Sequence, residues 1–272
     1  MTVSAGAQPA HLQAHLEGLR AALVSFVRYA DRAGLEAPVP TTPDWTVRRL
    51  VAHQGMVHRW AAGQLRGEEP LDTSSLERQG LGAPDPLDWL REGAVELAQA
   101  ITETPPDCDA LVFLAGVEAD RPFRARDFWA RRQCHETTIH AVDALSASLG
   151  RYPKASETWI DPALALDGID ELLTGFMPRP VSRLRAAEPM AVAVLPEPAP
   201  GVARPSWLVE VGPGQPVTTR AGASQADALE DADIVLRGSP VALYLTLWNR
   251  SDEVTPEGWD LWAEGAAIRW SR

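Results

Sequence analysis

The stretch WTVRRLVAHQGMVHRW, residues 45–60, has the periodicity of an amphipathic helix with a histidine inside its apolar stripe. The apolar side chains that recur on one side of this helix are Val47, Leu50, Val57 and Trp60. His53 lies in the middle of that stripe. His58 lies about 140° from His53 around the helix axis, because each residue turns the helix by roughly 100°. We therefore expect His53 to face the interior and His58 to face solvent.

Three further stretches of the first half have the same helical periodicity. They extend over about residues 9–34, 86–104 and 123–149. Four helices of this length predict an antiparallel four-helix bundle. The segment between residues 67 and 86 is polar and rich in turn residues, which predicts a long loop. Thr42 or Asp44 is the expected N-cap of the second helix.

The pattern changes at GRYPKASE, residues 150–157, which we interpret as a linker between domains over residues 1–150 and 155–272. After it, a helix is predicted over 162–176. Alternating apolar residues then predict short strands in MAVAVLP (190–196), SWLVEVG (206–212), PVTTRAG (216–222), ADIVLRG (232–238) and AIRWS (267–271). GSPVALYLTLWNR (238–250) predicts a helix with Ser239 as its N-cap. The second domain is therefore expected to be a small α+β domain.

The composition limits the classes of partner. A net charge of −12 argues against nucleic acid, because phosphate binding needs a basic surface. No apolar run approaches the roughly 18–20 residues that span a bilayer, and the N-terminus lacks the order of a signal peptide. Two cysteines, Cys108 and Cys134, cannot form a disulfide framework, which fits a reducing compartment. We expect a cytoplasmic protein that acts on small molecules as a monomer or small homo-oligomer.

A second stretch, RRQCHETTIH (131–140), carries the candidate metal ligands. Glu136 and His140 are four residues apart, so both side chains lie on one face of the predicted helix. A catalytic metal site needs about three protein ligands, and facing helices of a bundle commonly contribute one each. His53 is the candidate third ligand. A surface Glu–His contact and an ordinary buried histidine are the alternatives that spacing leaves open.

Three further residues lie close to Glu136 in the sequence. Arg132 lies one turn before Glu136, where it can orient that carboxylate, bind an anionic substrate or form a surface salt bridge. Cys134 and His135 point elsewhere around the helix. We expect both to be uninvolved in the metal site.

At this point the sequence resembles a known family. PDWTVRRLVAHQGMVHRWAAGQLRG (43–67) and RDFWARRQCHETTIHAVDAL (126–145) are similar to the two signature regions of the mycothiol-dependent maleylpyruvate isomerase family. The matching positions are Trp45, Thr46, Val47, His53, His135, Glu136, His140, Asp143 and Ala144. The resemblance implies a DinB-like four-helix bundle whose metal ligands are His53, Glu136 and His140. Ala141 stands where the family usually has a basic residue.

The resemblance extends to the second half and to the chemistry. ADIVLRGSPVALYLTLWNR (232–250) is similar to the family's second domain, which resembles sterol carrier proteins. The family implies mycothiol as a cofactor, and the His₂Glu donor set suits zinc, with iron or nickel as alternatives. Arg237 and Arg250 are candidate anion contacts in a cleft that the second domain would close over the metal.

Several reactions stay compatible with the sequence. A metal-activated thiol can isomerise a double bond or transfer sulfur to an electrophile. A metal-dependent hydrolase that uses water is a further alternative, with Asp44, Asp143 or His58 as its general base. A non-catalytic carrier of an apolar ligand is the alternative outside enzymes.

Overall fold

The computed structural model describes residues 7–114, 124–202, 205–222 and 229–268. These residues form two compact units. The first contains the described residues up to Phe113 and those from 124 to Tyr152, and the second contains Leu114 and the described residues from Pro153 onward.

The first unit is helical. Its helices are α1 (Ala7–Ala33), α2 (Val47–Arg66), α3 (Thr73–Leu81), α4 (Pro86–Glu103) and α5 (Ala125–Leu149). Helix α1 packs mainly on α5, α2 packs mainly on α4, and α2 also contacts α5. The four long helices confirm the predicted bundle.

The start of α2 differs from the prediction. Thr46 is the N-cap, and its hydroxyl accepts a hydrogen bond from the backbone N–H of Arg49 at 3.4 Å. Thr42 and Asp44, the expected caps, lie in the turns between Pro38 and Thr46, which are joined by a β-bridge, and the helix begins only after residue 46. The helix ends at Gly67, whose φ of 65° is left-handed and favours glycine.

Helix α3 lies in the segment predicted to be a long loop. Asp72 accepts a hydrogen bond from the backbone N–H of Ser75 at 3.1 Å and so begins a nine-residue helix. The segment was predicted as a loop because turn residues lie on both sides of this short amphipathic sequence. The connection between the second and third long helices is therefore partly helical.

Nearly every residue of α5 between Ala125 and Ser146 is buried. The polar stretch RRQCHETTIH is consequently interior, and each of its side chains needs a partner inside the protein. This arrangement makes α5 the element from which a buried polar site can be built.

The second unit is α+β, as predicted. Helix α6 (Pro162–Asp170) continues as a π-helical turn over Glu171–Phe176 and is followed by β1 (Met190–Pro196), β2 (Ser206–Val211), β3 (Val217–Ala221), β4 (Ile234–Gly238), α7 (Pro240–Leu247) and α8 (Asp260–Gly265). The strand order is β3-β2-β1-β4, with β1 antiparallel to β2 and parallel to β4. The Ser239 hydroxyl caps α7 by accepting a hydrogen bond from Ala242 N–H at 3.2 Å.

The C-terminal end departs from the prediction. Helix α8 was not predicted. Of the predicted strand AIRWS, Ala267 and Ile268 are not in a strand, and residues 269–271 lie outside the described residues. None of the helices in the described ranges is both long enough and apolar enough to cross a membrane.

Candidate metal centre

The structure brings His53 of α2 together with Glu136 and His140 of α5. One potential ligand atom from each of the three residues lies within 4.8 Å of the other two. Glu136 Oε1 is 3.3 Å from His140 Nε2 and 4.0 Å from His53 Nε2. The three candidate ligands are therefore close together, and their role as metal ligands stays a prediction.

Arg132 fixes the orientation of the Glu136 carboxylate. Its Nη2 donates a hydrogen bond to Glu136 Oε2 at 2.7 Å, so that Oε1 is the oxygen that faces the two imidazoles. Burial disfavours an ionised carboxyl, but the charge of Arg132 and hydrogen bonds from His140 and His53 hold the pKa of Glu136 well below its usual value. Glu136 is consequently an anion at neutral pH.

Asp143 fixes the orientation of His140. Its Oδ2 is 2.8 Å from His140 Nδ1, and its Oδ1 accepts a hydrogen bond from the Thr41 hydroxyl at 2.6 Å. An ionised carboxylate can only accept, so Nδ1 carries a proton and Nε2 is the nitrogen that faces Glu136. A carboxylate behind a ligating imidazole is the usual way in which proteins orient such a ligand.

The charges at the centre favour a bound cation. Burial opposes protonation of His140, but hydrogen bonds and charge from Asp143 and Glu136 outweigh it and raise the pKa of His140 to about 9. Without a metal, a proton therefore occupies the space between His140 Nε2 and Glu136 Oε1. A divalent cation at this point would satisfy the same atoms, and the His₂Glu set fits zinc and similar metals.

His58 corrects one prediction, because it is completely buried rather than exposed to solvent. Its Nε2 lies 2.9 Å from both Gln54 Nε2 and Thr137 Oγ1. The helical wheel of α2 failed here because α4 and α5 cover two sides of this helix. Burial, followed by the charge of Arg59, lowers the pKa of His58 to about 3.

The other residues near the ligands lie outside the group. His135 is buried, with its ring centroid 6.2 Å from that of His15. Cys134 is buried and Cys108 is half-buried. Within the described part of the chain, neither cysteine belongs to a cluster of side chains that could hold a metal ion.

The two arginines predicted as anion contacts lie in the second unit. Arg237 on β4 forms an ion pair with Glu230 and is 43% exposed. Arg250, beyond the end of α7, donates a hydrogen bond from Nη1 to the Trp248 carbonyl at 2.8 Å. Their role as anion contacts stays a prediction.

Sequence reasoning assigned no structural role to two residues near the centre, one of which, Trp45, was named only as part of the family pattern. Thr41 and Trp45 both lie in the loop before α2, and no periodicity marks them. Asp143, three residues after His140, was noted only as part of the family pattern and as a possible base. Its spacing from His140 on the same helix face was the available signal.

The chain matches two models of one known protein family and shares its fold with two solved structures. The model of the mycothiol maleylpyruvate isomerase N-terminal domain matches residues 16–145, and that of the C-terminal domain of the same family matches residues 163–267. Two solved structures, of a mycothiol-dependent maleylpyruvate isomerase and of its histidine-to-alanine variant, share 18% identity with this chain. They cover 90% of this chain and 92% of their own, with TM-scores of 0.56 and 0.57, which shows a common fold. No curated protein matches the chain in sequence.

Proposed function

Because the chain belongs to the mycothiol-dependent maleylpyruvate isomerase family, we propose that it is a metal-dependent isomerase that uses mycothiol as its nucleophile. His53, Glu136 and His140 would hold the divalent cation, zinc being the first choice. The observation that carries this proposal is the convergence of these three ligand atoms from two helices within 4.8 Å. The residues behind them support it, since Arg132 and Asp143 orient two of the three ligands.

The chemistry follows from the family and the donor set. A divalent cation at the centre would act as a Lewis acid and lower the pKa of a thiol from its free value of about 8.5. The chain's own residues hold and orient this centre. Arg132 keeps Oε1 of Glu136 turned inward, which makes it a positioning residue in this proposal. Asp143 keeps the proton of His140 on Nδ1, away from the cation.

The proposed reaction balances without any further reactant. The thiolate adds to one carbon of an activated cis double bond, a C–S bond forms, and the electron pair of the π bond moves onto the activating carbonyl. Rotation about the new single bond and loss of the thiolate then restore the double bond in the trans form. Thiol transfer is the second reaction of this proposal: the same thiolate would form a C–S bond at a carbon that carries a leaving group, and that group would depart with the electron pair of the broken bond.

A hydrolytic reaction has less support from the geometry. Asp143 already holds His140 and Thr41, and the buried His58 is bonded to Gln54 and Thr137. Asp44, the remaining candidate base, is exposed at the surface. A thiol that arrives as a cofactor needs no such base once its pKa is lowered.

The proposed function assigns a separate role to each of the two domains. Residues 1–150 would carry the metal centre, and residues 155–272 would carry Arg237 and Arg250 as anion contacts. Arg237 would have to exchange its Glu230 partner for the substrate. The metal centre does not depend on this assignment.

Metal analysis of purified protein tests the proposal. His53→Ala, Glu136→Ala and His140→Ala should each reduce bound metal from about one equivalent to a small fraction, because two ligands form an incomplete shell. Mycothiol-dependent turnover of maleylpyruvate should fall in parallel. His11→Ala, at an exposed histidine of α1, is the matched control and should keep both the bound metal and the turnover. Wild-type protein that binds no metal, or ligand variants that keep it, would contradict the proposal.

A further inference from the structure

Trp45, the residue directly before the N-cap of α2, contacts both histidines of the candidate centre. Its ring centroid is 4.8 Å from that of His53, with an interplanar angle of 61°. It is 5.9 Å from that of His140, with an angle of 19°, which is a stacked arrangement. A single indole therefore packs against ligands that come from two different helices.

The backbone on both sides of Trp45 is fixed. Its N–H donates to the Thr42 carbonyl at 2.9 Å, and its own carbonyl accepts from Val39 N–H at 3.1 Å. The guanidinium of Arg49 packs over the same indole, with Cζ 5.0 Å from the ring centroid. The ring thus has little freedom to move away from the two imidazoles.

The two histidines differ in what else holds them. His140 Nδ1 has the carboxylate of Asp143 behind it. For His53, the described residues provide no hydrogen-bond acceptor at Nδ1, and its polar contact is with Glu136. Ligating histidines usually have a hydrogen-bonded partner behind them that sets the ring orientation. At His53, packing against Trp45 takes the place of that partner.

We propose that Trp45 is a positioning residue that holds the His53 and His140 rings in the orientation needed to bind the cation. This inference rests on the proposed function, because the orientation matters only if the centre binds a metal. It assigns a role to the loop before α2, which contributes no ligand. The indole would act through the two imidazoles and not on the substrate.

Cobalt(II) is a suitable probe, because its visible absorption reports ligand geometry and its affinity can be measured by competition with a chelator. Trp45→Ala should bind cobalt about 10–100-fold more weakly, the usual cost of losing a residue behind a ligand, and should change the absorption spectrum. Trp45→Phe keeps a ring in the same place and should bind within about threefold of wild type. Equal cobalt affinities and spectra in wild type, Trp45→Ala and Trp45→Phe would overturn the proposal. A loss of cobalt affinity in Trp45→Phe as large as that in Trp45→Ala would also overturn it.

Trp89 provides the matched control. It is also half-buried and carries an arginine over its ring, with Arg59 Cζ 3.5 Å from the ring centroid, but within the described residues its ring makes no ring contact with His53 or His140. Trp89→Ala should lower the melting temperature and leave cobalt affinity unchanged. A comparable loss of affinity in Trp89→Ala would assign the Trp45 effect to general destabilisation and overturn the proposal.

A measurement on metal-free protein separates this inference from the proposed function. The NMR signals of the His53 and His140 rings should broaden in Trp45→Ala, because the rings then exchange between rotamers, and should stay sharp in Trp45→Phe. Unchanged line widths would overturn the positioning role. If the wild-type protein binds no cobalt while the signals still broaden, the proposed function fails and the positioning of the rings stands.

Discussion

His58 lies completely buried between helices, within hydrogen-bonding distance of Gln54 and Thr137. Burial is the main cause that lowers its pKa to about 3, from 6.5 in an unfolded chain. The folded protein therefore keeps this imidazole neutral at any pH above about 3. In the unfolded chain the same imidazole takes up a proton below about pH 6.5.

The difference between the pKa values of His58 in the folded and unfolded states makes its contribution to stability depend on pH. Between its two pKa values, His58 binds more protons in the unfolded state than in the folded state, so its contribution to stability falls as the pH is lowered, whereas the raised pKa of His140 acts in the opposite direction. The contribution of His58 is complete above pH 6.5 and should be reduced by about 2 kcal/mol at pH 5. Urea unfolding at pH 8 and pH 5 in the presence of a chelator should show that His58→Gln removes this part of the pH dependence.

An exposed histidine supplies the comparison. His11→Gln should leave the difference between the two pH values as in wild type, because that imidazole is solvated in both states. If the difference between pH 8 and pH 5 is the same in His58→Gln as in wild type, His58 does not contribute to it and the buried neutral state of His58 is wrong.

The sequence predicted the contact between His53, Glu136 and His140 because two of them share a helix face and the third lies in the apolar stripe of another helix. It could not predict the side-chain partners behind them. Thr41 and Trp45 lie in a loop whose path depends on the bridge between Pro38 and Thr46. The environment of His58 depends on the helices packed around α2, which no pattern within α2 reveals.

At the scale of elements, the packing of α2 on α4 depends on close backbone approach at Gly93. A Cβ atom added there would lie 2.5 Å from Arg59 Nη1 and 2.9 Å from the Gly55 carbonyl oxygen. Arg59 Nη1 itself donates to the carbonyls of Gly55 at 3.0 Å and Trp89 at 2.9 Å. An added methyl group must therefore separate the helices or displace the buried guanidinium.

Gly93→Ala should accordingly lower the free energy of unfolding by about 1–3 kcal/mol, the usual cost of overpacking, although alanine is the better helix former. Gly82→Ala is the control, because the nearest heavy atom to its added Cβ is an ordinary 3.5 Å away. It should change stability by less than about 0.5 kcal/mol. Urea unfolding measures both. A Gly93→Ala protein as stable as wild type would contradict the close approach of α2 and α4.

The long helices and the four strands were predictable because their apolar periods are regular over many residues. Helix α3 was not, because nine residues between turn signals give too few periods to distinguish a helix from a loop. Helix α8 is shorter still, and the prediction of a strand after it rested on five residues. Short elements take their structure from the surfaces they pack on more than from their own pattern.

At the scale of the whole molecule, the proposed reaction requires a thiol that the chain does not supply. Cys134 is buried and Cys108 is half-buried, and neither joins the ligand group within the described residues. Burial also raises the pKa of the Cys108 thiol, which reduces its thiolate fraction at neutral pH. The family's cofactor, mycothiol, would fill this role in the proposed mechanism.

A variant without cysteine therefore tests the source of the nucleophile. Cys108→Ala/Cys134→Ala should keep its bound metal and lose less than about threefold in mycothiol-dependent kcat/KM, since neither thiol takes part in the attack. Its melting temperature should fall, because Cys134 fills space in the core.

Assayed without added thiol, both this variant and the wild type should be inactive on maleylpyruvate. Turnover by the wild type in the absence of thiol would mean that the chain provides its own nucleophile. Loss of activity in the cysteine-free variant with its metal retained would identify one of the two cysteines as that nucleophile, and the single variants would then show which.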